Sequence, residues 1–197
     1  TYLRIVDYKS SSKDLNFTEI YYGLALQMLT YLDIAVTHSP LLVGKQAKPA
    51  GVLYFHVHNP MIKNNGVYTL EQIEREVFKS FKMKGLLLGD DEVVKMMDSD
   101  LEGGESLIVP AGFKKDGTFT AASKIASEEE FSLLSKHVKK IYTDTGTAIT
   151  SGVSDITPYR LQNKMPCTYC QYKTVCQFDP SLESNDYRLL KPAKKEA

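Results

Sequence analysis

The sequence predicts an α/β fold in which a sheet is flanked by helices, and three observations carry that expectation. An apolar-rich strand pattern over residues 3–9 is followed by helical periodicity over 18–36 and then by a second buried-type strand, GVLYFHVH, over 51–58. Further helical stretches follow over 70–81 and 91–97 and from Ser127 onward. Over 197 residues the chain is 43% hydrophobic and 24% charged, which supports a real core in one large domain, or one domain with an appended lobe.

Taken in order, the first strand places Leu3, Ile5, Asp7 and Lys9 on one face and Arg4, Val6 and Tyr8 on the other, because side chains two apart share a face. Asp7 and Lys9 are therefore neighbours. The chain begins inside this strand pattern without an initiator methionine and reads as a piece of a longer polypeptide. Residues 10–14 form a polar loop. On the helix expected over 18–36, Ile20, Leu24, Gln27 and Tyr31 make one stripe, half of it polar. Pro49 precedes the second strand and Asn59-Pro60 closes it.

Residues 106–109 read as a short extended segment, and Asp116-Gly117 marks a hairpin. Ser127 is an N-cap followed by Glu128, Glu129 and Glu130, acids that suit the positive end of a helix dipole, and the helix runs to about Thr150. Beyond Gly152 the chain is loop-like up to its cysteines, and the Lys-rich tail after Tyr187 is expected to be mobile.

Charge and composition exclude several classes. With 24 basic and 24 acidic residues the net charge is zero, so any contact with DNA must be local. There is no signal peptide, no apolar run long enough to span a bilayer, and no disulfide framework, so a reducing cytoplasm and no membrane are expected.

Two groups of residues carry chemistry. The only cysteines, Cys167, Cys170 and Cys176, form a C-x-x-C-x5-C array. Thiolates are soft ligands that select zinc or iron-sulfur clusters, and three of them leave a four-ligand site one short. Asp7 and Lys9 form the second group. A carboxylate can offer hard oxygen to Mg2+ while an ammonium two residues on polarises an attacking water, although such a triplet by itself is usually a solvated strand-edge pair. Gln27 and Tyr31, one helical turn apart, can hold a phosphate or the lysine; the bland reading makes them hydrogen-bonded residues at the core margin.

Other residues admit two readings. His56 and His58 share a strand face and are either tucked against neighbours or ligands. His137 lies on a helix with Lys136, Lys139 and Lys140, a solvated basic face or a DNA-backbone contact. Tyr169 and Tyr172, between the cysteines, are expected to shield a metal centre.

The D-x-K strand, the Q-x-x-x-Y helix and the distant cysteine array, with the runs IVDYKSS, YYGLALQMLTYLDIA, PAGVLYFHVHNPMI, FKMKGLLL and PCTYCQYKTVCQFD, resemble one family over almost the whole chain. They look like RecB-type PD-(D/E)xK nucleases with an iron-sulfur staple, in particular the nuclease domains of bacterial AddAB-type helicase-nucleases. The resemblance implies a restriction-endonuclease-like mixed sheet flanked by helices, truncated at its N-terminal side and carrying an added helical lobe.

It divides the chain into a partial nuclease core over 1–60, a helical insert with a small hairpin over 61–160, and a cysteine segment with tail over 161–197. It implies Asp7 as a Mg2+ ligand, Lys9, Gln27 and Tyr31 as its catalytic companions, and Cys167, Cys170 and Cys176 as three ligands of a 4Fe-4S cluster. In the family a second metal carboxylate and a fourth cysteine lie upstream, so both sites are expected to be incomplete and the isolated piece nearly inert. The implied substrate is DNA, degraded from its 5'-ended strand during double-strand-break repair, and the implied partner is the A subunit of a heterodimer, which drives unwinding with ATP. The rival readings are a zinc- or iron-sulfur-stapled nucleic-acid-binding module without catalysis and a CRISPR-associated-type iron-sulfur exonuclease. The long interval between Lys9 and Cys167 favours the helicase-nuclease.

Overall fold

The structure, a computed structural model, describes residues 1–62, 66–183 and 185–193. Its main sheet has four strands. β1 (Tyr2–Lys9) pairs in parallel with β2 (Lys48–His56), β2 antiparallel with β3 (Lys84–Leu88), and β3 in parallel with the short β6 (Ile125–Ala126). The sheet is therefore mixed, as expected.

Its interior is apolar because β2 and β3 are buried on both faces: Val52, Leu53, Leu86, Leu87 and Leu88 are almost wholly inaccessible. Two glycines let these strands approach closely. Gly51 and Gly85 have φ of +151° and +145°, and a Cβ would stand 2.6 Å from Leu86 O and 2.0 Å from Val52 O respectively. A register slip between Leu3 and Arg4 skips Ala50, so that Asp7 pairs with Tyr54 and Lys9 with His56.

The helix expected over 18–36 is two helices. α1 (Phe17–Tyr21), capped by Asn16, ends at Gly23, whose φ of +75° lets Leu24 N–H close back on Glu19 O at 2.7 Å. α2 (Gln27–Thr37) then starts afresh and buries Met28, Leu29 and Leu32. The stripe from Ile20 to Tyr31 is thus broken, and only its second half, Gln27 and Tyr31, shares a helix. α3 (Ser39–Val43) follows, its buried Ser39 hydroxyl donating to Val36 O at 2.8 Å and accepting from Ala47 N–H at 2.9 Å.

α4 (Leu70–Ser80) opens with a capping box between Thr69 and Gln72, and α5 (Asp91–Met97) with an Asp90 cap. β4 (Gly104–Glu105) pairs antiparallel with β5 (Gly112–Phe113). Residues 106–109 are not extended. The buried Ser106 hydroxyl donates to Asp98 Oδ2 at 2.6 Å and accepts from the N–H groups of Ile108 and Val109, which bends the chain inward. The Asp116-Gly117 turn is present, closed by Lys114 N–H to Thr118 O at 2.8 Å. α6 (Glu128–Thr150) begins where the sequence places it, with Ser127 and Glu130 in reciprocal capping bonds.

The chain divides into two compact units. The first, residues 1–15 and 25–136, contains the four-stranded sheet and a core built around Leu53, Leu87, Val94, Val109, Ala111 and Phe113. The second, residues 16–24 and 137–197, buries Ile20, Val138, Leu161 and Leu190. Within it β7 (Tyr159–Leu161) pairs in parallel with β8 (Arg188–Leu190), so the segment just after Tyr187 is a strand rather than a loose tail. Residues 194–197, also within that expected tail, lie outside the described residues. The cysteine segment is a 3-10 turn, Pro166–Tyr169, followed by α7 (Lys173–Cys176). Among the described residues no helix is long and apolar enough to cross a membrane.

Candidate active site

The first unit brings Asp7, Lys9, Gln27 and Tyr31 together. On β1 the alternation of side chains puts Lys9 Nζ 2.7 Å from Asp7 Oδ2. The first turn of α2 reaches the same ammonium, which donates to Gln27 Oε1 at 3.5 Å, and Gln27 Nε2 donates to Tyr31 Oη at 3.1 Å. The amide orientation follows from chemistry: an ammonium only donates, so it takes the amide oxygen and leaves the NH2 for the phenol. Buried Met28, Leu29 and Leu32 hold the helix in place, while Gln27 and Tyr31 stay exposed beside the strand.

Electrostatics favour a charged lysine. Direct contact with the Asp7 side chain is the largest influence raising the Lys9 pKa above its ordinary value; burial opposes it, and the charge of Asp7, then Tyr54 and Tyr31, add to the rise. Asp7 Oδ2 is itself buried, and among the described residues it has no hydrogen-bond partner, since the contact with Lys9 is an ion pair too oblique to count as one. A buried carboxylate oxygen with spare lone pairs is what a hard divalent cation requires, so Asp7 fits as one metal ligand. It does not complete a set: among the described residues no three His, Cys, Asp or Glu groups stand close enough to hold an ion.

Sequence reasoning did not single out Tyr54. It pairs with Asp7 across the sheet, and the alternation of GVLYFHVH already placed it on the face of His56, but only the register put that face beside Asp7 and Lys9. His56 and His58 pack against their neighbours: their rings stack at 4.0 Å, His56 Nε2 lies 3.3 Å from Ser10 O, His58 Nδ1 lies 3.0 Å from His56 O, and His58 leans on Phe81. In the second unit His137 is not part of a solvated basic face, because its ring stacks on Tyr21 and its Nε2 lies 3.1 Å from Tyr21 O.

Cys167, Cys170 and Cys176 are unpaired thiols lining one cavity of ≈ 500 Å³ in the second unit. Cys170 Sγ accepts from Tyr172 N–H at 3.4 Å. Tyr169 and Tyr172 do not shield this cavity, being 91% and 72% exposed; its cover comes from Met165, Phe178 and Tyr187. Partial burial, then contact with Cys167, raises the Tyr187 pKa against the pull of Arg160. Soft sulfurs around a partly apolar cavity fit three ligands of a thiolate-held group.

A D-x-K strand braced by a Q-x-x-x-Y helix on a mixed sheet defines a site of the metal-assisted phosphodiesterase type. The PD-(D/E)XK nuclease superfamily matches residues 1–177, and the chain belongs to that superfamily, with its restriction-endonuclease-like fold. The chain is similar to the B subunit of the ATP-dependent helicase/deoxyribonuclease of Bacillus subtilis (strain 168), 58% identical over 192 residues, covering 98% of this chain and 16% of that protein. It is also similar to the protein of the same name in Bacillus licheniformis, 57% identical over 192 residues with 98% and 16% covered, and in Bacillus mycoides, 56% identical over 196 residues with 98% and 17% covered. The chain spans about a sixth of the length of these relatives.

Proposed function

We propose that this chain is the nuclease part of a heterodimeric ATP-dependent helicase-nuclease that hydrolyses DNA phosphodiester bonds in double-strand-break repair, acting on the 5'-ended strand. The observation that carries the reading is the position of Lys9, set between the Asp7 carboxylate and the Gln27 amide. The names of the relatives support DNA as substrate and a second, helicase-bearing subunit as partner. The strand preference, the repair role, the A subunit and a cytoplasmic location rest on the family resemblance.

Mg2+, held in part by Asp7, would supply Lewis acidity at the scissile phosphate. Lys9, kept protonated by Asp7, orients the attacking water and meets the negative charge that develops on phosphate oxygens. Gln27 fixes the direction of the ammonium, and Tyr31 fixes Gln27. Because the quartet offers one carboxylate, the chain is nearly inert until further oxygen ligands join it.

Cys167, Cys170 and Cys176 hold three corners of a 4Fe-4S cluster. Sulfurs that bind separate irons of one cube surround a volume, whereas zinc ligands converge on one ion; three thiols lining one cavity, with no converging trio among the described residues, support the cluster over zinc.

The test is Mg2+-dependent degradation of end-labelled DNA by the full-length protein with its helicase partner. Cleavage lost in Lys9→Ala with DNA binding intact is expected. Undiminished cleavage by that variant would overturn the assignment.

A further inference from the structure

The FKMKGLLL run places lysines beside the candidate active site, where the hydrolytic quartet gives them no role. β3 presents Lys84 level with Tyr54 of β2, and Tyr54 is level with Asp7 of β1. Partners across adjacent strands point to the same face, so Asp7, Tyr54 and Lys84 form a row across the sheet. Two strand spacings separate its ends, about 10 Å of backbone. The loop after β1 reaches the same place, since Lys84 Nζ donates to Ser12 Oγ at 2.9 Å.

Next to this row lies a cavity of ≈ 350 Å³ whose charged lining is Lys79, Lys82, Lys84 and Lys124 against Asp14 and Glu105. Lys82 is paired with Glu105 at 3.3 Å and Lys79 with Glu76 at 2.5 Å. Lys84 meets only a neutral hydroxyl, and Lys124 is exposed with no side-chain partner among the described residues. Four ammonium groups against two carboxylates leave a local positive excess on a chain whose net charge is zero. Such an excess beside a hollow, with two ammonium groups free of any anion among the described residues, attracts phosphate oxygens.

We propose that this cavity is a backbone-phosphate subsite: Lys84 and Lys124 grip the phosphodiester backbone of a single nucleic-acid strand whose neighbouring phosphate lies at Asp7 and Lys9. The inference rests on the nuclease reading for its ligand but not for its geometry. A strand is the fitting occupant because the cavity and the Asp7 row lie on one sheet face, within reach of one continuous backbone.

The experiment uses the full-length protein and a fluorescein-labelled single-stranded oligonucleotide, with chelator present to prevent cleavage, titrated over a salt series. In Lys84→Gln/Lys124→Gln the dissociation constant rises about tenfold, and the slope of log affinity against log salt shrinks by about 1.4, which is about 0.7 for each single-strand phosphate that is no longer neutralised. Lys124→Gln alone, at an exposed side chain that the fold does not need, shrinks it by about 0.7. Unchanged affinity and slope in both variants overturn the subsite. So does loss of binding to an acidic peptide with oligonucleotide binding unchanged. Failure of the nuclease reading looks different: Lys9→Ala then cleaves like the wild type, whatever the salt slopes are.

Discussion

Lys9 and Asp7 form an ion pair at 2.7 Å in which the buried carboxylate oxygen still lacks a hydrogen-bond donor among the described residues. The lysine is therefore held charged while the aspartate keeps a lone pair available. That combination separates this pair from a solvated strand-edge salt bridge, in which water would satisfy both partners.

The brace predicts a graded series of variants. Lys9→Ala removes the donor itself and lowers cleavage by about 100-fold or more. Gln27→Ala leaves Lys9 charged but unaimed, so the loss is smaller, about tenfold, and falls on kcat rather than KM. Steady-state kinetics of the full-length protein check the order, and equal losses for the two variants would contradict it.

The pH dependence has a definite sign. Contact with Asp7 raises the Lys9 pKa above its ordinary value of 10.5. A raised folded-state pKa means that the contribution of the pair to stability is fully present below that ordinary value and is lost as pH rises through the folded value. Chemical denaturation of wild type and Lys9→Met should thus differ by a constant amount from neutral pH up to the lysine range and converge above it. Convergence on the acid side of neutrality would refute this account of Lys9.

Gly85 is a backbone requirement of the β2–β3 pair. With φ at +145° and a Cβ position 2.0 Å from Val52 O, Gly85→Ala should destabilise by about 3 kcal/mol or more. Gly117→Ala, at φ +81° in open space, should cost only about 1 kcal/mol. Urea denaturation of the two variants checks the contrast.

Ser106→Ala removes a hydroxyl that serves Asp98 and two backbone N–H groups in the interior. Leaving those groups unsatisfied should cost about 2 kcal/mol, and more than Ser127→Ala at the exposed cap of α6, which should cost about 1 kcal/mol. Thermal denaturation ranks them.

Much of the fold is legible in the chain. The D-x-K strand, the turn at Asp116-Gly117 and the cap at Ser127 are written in local alternation, φ preference and hydrogen-bonding capacity, and the structure keeps all three. Residues 18–36 read as one helix because Gly23 is compatible with helical periodicity, and only its left-handed conformation ends α1. Residues 106–109 look extended by composition, yet one side chain, Ser106, recruits their N–H groups and bends them. The aromatic residues nearest the cysteines in sequence, Tyr169 and Tyr172, turn outward, whereas Phe178 and Tyr187 cover the thiols after the chain has turned back.

The sequence by itself determined which groups can do chemistry: one carboxylate and one ammonium on a common strand face, an amide and a phenol one helical turn apart, and three soft sulfurs. Tertiary structure decided what stands next to them. The skipped Ala50 and the glycine contacts between β2 and β3 set a register that aligns Asp7 with Tyr54 and Lys84. Register belongs to pairs of strands, and a change of one residue turns a side chain to the opposite face, so it cannot be read from either strand alone.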